Sequence, residues 1–120
     1  GAGVAPTTPG YETYHVLPQM GPLKHIKAVI PSVKGNISLE IKKQPNVFSI
    51  QLVSPKGTLA TVGLPKRPGS SISRITANGK TVWEKSKRAK SVRGITFSQE
   101  SVHYITFEIQ PGTWGFSAEY

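Results

Sequence analysis

Apolar and polar side chains alternate at period two along most of this 120-residue chain, and turn signals break the alternation at close intervals. Ile37, Leu39 and Ile41 alternate with Ser38, Glu40 and Lys42, and Phe48, Ile50 and Leu52 alternate with Ser49, Gln51 and Val53. His103, Ile105, Phe107 and Ile109 alternate with Tyr104, Thr106 and Glu108, and Trp114, Phe116 and Ala118 share one face of a last run. Successive side chains of a strand point to opposite faces, so this period predicts strands with one face in a core and one in water. Asn78-Gly79 falls between Ile75-Thr76-Ala77 and Thr81-Val82-Trp83. It is the strongest hairpin signal, because both central positions of a type I′ turn need positive φ. About eight to ten short strands at this spacing predict an all-β fold, an antiparallel β-sandwich with Greek-key-like connections. A parallel sheet needs long crossovers, usually helical, and helical periodicity is nearly absent. Residues 1–10, with Pro6 and Pro9, are expected to form an extended linker, residues 11–120 one sandwich domain, and residues 85–93 a long exposed loop.

Composition removes several kinds of chemistry. With 0 Cys, disulfides, zinc-thiolate sites and thiol nucleophiles are excluded. All six acids are Glu and no Asp occurs, which removes Asp-based calcium loops and Asp-containing triads. Glu40 and Glu108 fall on the polar faces of their strands, and Glu12, Glu84, Glu100 and Glu119 at edges, so no pair reads as the facing carboxylates of a hydrolase. His15, His25 and His103 show no metal-ligand spacing, and His103, on an apolar face, is expected to be partly buried. Nucleotide-binding glycine loops are missing too, so neither cofactor nor metal is expected. No apolar run approaches the ~20 residues of a membrane span. The chain opens on Gly1 rather than Met, which leads us to expect a piece of a longer polypeptide.

Positive charge is the loudest compositional signal. Lys+Arg number 15 against 6 Glu, a formal net charge of +9. Lys80, Lys85, Lys87, Arg88, Lys90 and Arg93 cluster in one stretch. Such a patch suits phosphate backbones, and a basic nucleic-acid-binding β-barrel is one possible reading. Single-strand binding, however, wants several exposed aromatics among the cations, and only Trp83 borders this cluster. A solvated loop, or a surface that docks on an acidic neighbour, fits better. Trp83 and Trp114 are candidates to stack on sugars, as in a carbohydrate-binding module. Trp114 shares its face with Phe116 and Ala118, which favours the core, whereas Trp83 ends a hairpin strand.

The order of short motifs adds a resemblance. Ala2-Gly3-Val4-Ala5-Pro6 precedes Pro9-Gly10-Tyr11 and Tyr14-His15-Val16-Leu17-Pro18-Gln19. A Gly21-Pro22-Leu23 turn, a strand ending at Ile30-Pro31, and Gly35-Asn36-Ile37-Ser38-Leu39-Glu40-Ile41 follow. Thr58 to Pro65 and Gly112-Thr113-Trp114-Gly115-Phe116 continue the series. It resembles the carboxy-terminal end of bacterial α-L-rhamnosidases of glycoside hydrolase family 78. The resemblance implies a non-catalytic accessory β-sandwich that packs on and stabilises an (α/α)₆ catalytic barrel upstream in the same polypeptide. The family's enzymes invert at the anomeric carbon, and their catalytic acids lie in that barrel, so the resemblance carries no catalytic residue onto this chain. It also implies a periplasmic or extracellular location, and plant-derived glycans are the partners expected if the domain itself binds carbohydrate.

Overall fold

The computed structural model describes residues 3–120. They form eleven strands in two sheets, and the only helical segment is a single 3₁₀ turn at Pro9–Tyr11. The first sheet holds β1 (Val4–Pro6), β2 (Thr13–Val16), β6 (Leu59–Pro65), β10 (Tyr104–Ile109) and β9 (Ile95–Glu100), in that order. The second holds β3 (His25–Ile30), β4 (Ile37–Lys43), β5 (Val47–Ser54), β11 (Gly112–Glu119), β7 (Arg74–Ala77) and β8 (Lys80–Glu84). Each alternating run seen in the sequence buries its apolar face. Ile37, Leu39 and Ile41 of β4, Phe48, Ile50 and Leu52 of β5, and Ile105, Phe107 and Ile109 of β10 are all buried. Aromatic rings tie the layers together: Phe107 of the first sheet lies 6.3 Å from Phe116 of the second, which lies 6.2 Å from Trp114. Offset ring pairs of this kind add about 0.5–1.5 kcal/mol each beyond their burial.

The β7–β8 hairpin turns on Asn78 (φ 50°) and Gly79 (φ 79°), the two positive values that the Asn-Gly pair predicts. Asn78 also docks the turn on β11. Its Nδ2 donates to the Thr113 carbonyl at 3.1 Å, and its Oδ1 accepts from the Gly115 N–H at 2.7 Å.

Three features depart from the sequence reading. Within residues 1–10, expected to be a linker, Val4–Pro6 pair with β2 as an edge strand; Gly1 and Ala2 lie outside the described residues. One pair of strands, β2 and β6, is parallel. The crossover between them is not a helix but the β3–β5 meander of the other sheet, which satisfies the same length requirement. His103 is exposed, not partly buried, because β10 starts only at Tyr104 and His103 lies in the preceding turn.

Candidate functional site

The charged side chains do not gather into a catalytic constellation. Glu12 pairs with Lys34, Glu40 with His25, Glu100 with Lys66 and Glu119 with Arg74. Glu108 is exposed on the outer face of β10, and Glu84 ends β8. Among the described residues, no group of three or more His, Cys, Asp or Glu side chains is placed to hold a metal ion. The Glu40 carboxyl is held below its ordinary range. The cause is mainly its hydrogen bond to His25, at 2.6 Å, with Lys42 and Lys27 adding to it. No described helix is long and apolar enough to cross a membrane.

Of the residues singled out in the sequence, Trp114 lies in the core. Its indole N–H donates to the Gln110 carbonyl at 2.9 Å, and its ring stacks on Phe116. Trp83 is half-buried at the free edge of the second sheet, where β8 has no partner beyond it. The basic residues Lys80, Lys85, Lys87, Arg88, Lys90 and Arg93 are all exposed. Among the described residues, none of them makes an ion pair. Bridges from Glu84 to Lys87 and from Val92 to Ile95 pin the two ends of their loop, and Val92 packs against the core between them.

Trp83 and Lys85 meet other groups that the sequence did not associate with them. They line a cleft of about 440 Å³ together with Lys66, Glu100, His103 and Ser71. This volume lies within the range of small-molecule sites, about 300–1,000 Å³. Lys85 is held by its backbone N–H on the Ser73 carbonyl at 3.0 Å and by its ammonium on the Ser71 hydroxyl at 3.0 Å. On the facing sheet, the Lys66 ammonium lies 2.7 Å from Glu100. A second depression, of about 620 Å³, opens among His25, Lys24, Lys42 and Lys43.

Arg67 lines both depressions. Its guanidinium sits 4.0 Å above the Tyr120 ring and donates to the carbonyls of Pro45 (2.6 Å) and Gln44 (2.7 Å). The Tyr120 hydroxyl donates in turn to the Pro65 carbonyl at 2.5 Å. Burial pushes the Tyr120 phenol up, with Arg67 opposing the shift. This end of the sandwich is therefore a positively charged, continuous surface with one indole in it. The groups come from separate turns and strand ends; the basic stretch and the hairpin mark Lys85 and Trp83 in the sequence, and for the others the net charge of +9 is the signal that points their way.

Fold and surface together define a small two-sheet β-sandwich with a basic, aromatic-bearing end and with its carboxylates dispersed. A family model described as the bacterial alpha-L-rhamnosidase C-terminal domain matches residues 3–77, and the chain belongs to that family. Among solved structures, an α-L-rhamnosidase from Dictyoglumus thermophilum superposes with TM-score 0.82 at 24% identity, over 99% of this chain and 12% of that one. An α-L-rhamnosidase from Streptomyces avermitilis, in complex with L-rhamnose, superposes with TM-score 0.73 at 22% identity, over 97% of this chain and 10% of that one. The chain thus spans about a tenth of the length of the enzymes whose fold it shares. Comparison with curated proteins gives no match.

Proposed function

We propose that this chain is a non-catalytic accessory domain of an α-L-rhamnosidase-like glycoside hydrolase, packed against the catalytic domain and stabilising it. One observation carries the reading: nearly the whole chain superposes on a small fraction of an α-L-rhamnosidase. The dispersed carboxylates support it. An inverting glycosidase needs two carboxyl groups facing each other about 6.5–9.5 Å apart across the scissile bond. Here Glu12, Glu40, Glu100 and Glu119 each pair with a different cation. The parent activity assigned is inverting release of terminal α-L-rhamnose, in the periplasm or outside the cell. Inversion, substrate and location rest on the motif resemblance alone. The test compares an enzyme carrying this domain with the same enzyme lacking residues 4–120, and assays the domain by itself. The truncated enzyme is expected to melt at a lower temperature, and the isolated domain to release no rhamnose from an aryl rhamnoside. Rhamnose release by the domain alone, or an unchanged melting temperature, overturns the reading.

A further inference from the structure

The basic end of the sandwich brings an indole and several cationic side chains together in one cleft. The cleft between the two sheets joins an aromatic side chain, Trp83, to the ammonium groups of Lys66 and Lys85 and the imidazole of His103. The single carboxylate there, Glu100, is already engaged by Lys66. Among the described residues Lys85 has no carboxylate partner, and its bond to Ser71 leaves donor hydrogens free. Beyond Arg67 the second depression adds Lys24, Lys42 and Lys43. Arg67 is fixed by a ring and two carbonyls, so the ridge between the depressions is rigid.

We propose that this end of the domain binds a uronic-acid-containing glycan, with one sugar ring against Trp83 and a carboxylate between Lys85 and Lys66. Charge complementarity selects an anionic ligand: Lys24, Lys42, Lys43, Lys66, Arg67 and Lys85 line the two depressions against Glu100 in the first and Glu40, already paired with His25, beside the second. The indole selects a ligand with an apolar ring face beside its charge. A neutral sugar leaves the ammonium groups unused, and a simple anion leaves the indole unused. A single-stranded nucleic acid meets the charge requirement but stacks successive bases on a row of aromatics, and this cleft holds one indole. The choice of glycan over nucleic acid leans on the glycosidase reading; the cleft and its charge do not.

The experiment is calorimetric titration of the 120-residue chain at low salt with tri-galacturonate, with its fully methyl-esterified form, and with a short thymidylate oligonucleotide. Tri-galacturonate is expected to bind, with its affinity falling as salt rises. The methyl ester, which keeps the rings and loses the charge, is expected to bind at least about ten-fold more weakly. Lys85→Gln is expected to weaken binding of the acid by about ten-fold, and Trp83→Ala to abolish it. Lys85 is exposed, so its variant keeps the fold and tests the site even if Trp83→Ala unfolds. Absence of tri-galacturonate binding, equal affinity for the methyl ester, or wild-type affinity in Lys85→Gln overturns the proposal. Tighter binding of the oligonucleotide overturns the glycan assignment. None of these arms depends on rhamnose release or on the melting of a parent enzyme, so failure here is separate from failure of the accessory-domain reading.

Discussion

The hydroxyls of Tyr14 and Ser54 meet at 2.6 Å inside the sandwich and join β2 of one sheet to β5 of the other. Ser54 lies 2.6 Å from the Thr58 hydroxyl, which donates to the Pro55 carbonyl at 2.6 Å. That last bond fixes the direction of the whole relay. Thr58 accepts from Ser54, and Ser54 accepts from Tyr14. All three residues are buried. Tyr14→Phe removes the first donor and leaves the remaining bonds in place, so its expected cost is about 0.5–1.5 kcal/mol. Ser54→Ala strands the Tyr14 donor and an acceptor on Thr58, and its expected cost is about 1–3 kcal/mol. Urea unfolding of the two variants checks the order, which is reversed if the relay runs the other way.

Alkaline stability follows from the same tyrosine. Burial raises the Tyr14, Tyr104 and Tyr120 phenols above their ordinary value of 10.0. A group whose folded pKa is raised contributes stability that is complete below its unfolded pKa and is lost as pH rises through the folded one. Stability is therefore expected to fall as pH climbs past about 10, and to fall less steeply in Tyr14→Phe. Denaturant midpoints measured from pH 8 to 11 check both the slope and its change.

At the acid end the relevant pair is His25 and Glu40. The hydrogen bond from His25 is the largest influence holding the Glu40 carboxyl low, and Lys42 and Lys27 act in the same direction. His25→Asn is expected to move the Glu40 titration midpoint upward, while the lysines keep it from returning fully. The sign for stability is opposite to that of the tyrosines. The contribution of a lowered carboxyl is present above its unfolded pKa and is lost as pH falls through the folded one. Carbon-detected NMR titration of the Glu40 carboxyl measures the shift directly.

Gly63 has no room for a side chain. A Cβ there meets Leu17 Cδ2 at 2.7 Å and the Tyr104 ring at 3.0 Å. The leucine end can turn aside. The ring cannot, because the Tyr104 hydroxyl donates to the carbonyls of Pro18 (2.8 Å) and Leu17 (3.2 Å). Gly63→Ala is expected to cost about 1–3 kcal/mol by overpacking. In the Tyr104→Leu background, where that anchor is absent, the penalty is expected to shrink. A double-mutant cycle in urea measures the coupling.

The strands easiest to find were those that bury a whole face. β4, β5 and β10 each put three large side chains inward, and β11 puts Trp114 and Phe116 inward with Ala118, so period two stands out. β9 buries only Ile95 of its six residues and carries no such signal. β1 is three residues long and is defined by its partner rather than by its own composition. The parallel pairing of β2 with β6 depends on two segments more than 40 positions apart, which no local pattern encodes. The candidate site divides the same way. The hairpin and the basic stretch mark Trp83 and Lys85, but Lys66, Glu100 and His103, at or beside the ends of β6, β9 and β10, reach them only through the packing of the two sheets.

The position of β11 has a consequence for synthesis on the ribosome. It is the last strand of the chain, yet it lies between β5 and β7 rather than at an edge. Until residues 112–119 have left the exit tunnel, the β7–β8 hairpin has no strand to join and the second sheet is split in two. Premature termination anywhere before β11 therefore removes the middle of that sheet, not its margin. A polypeptide cut short before β11 exposes the unpaired edges of β5 and β7 to pairing with other chains and to proteolysis.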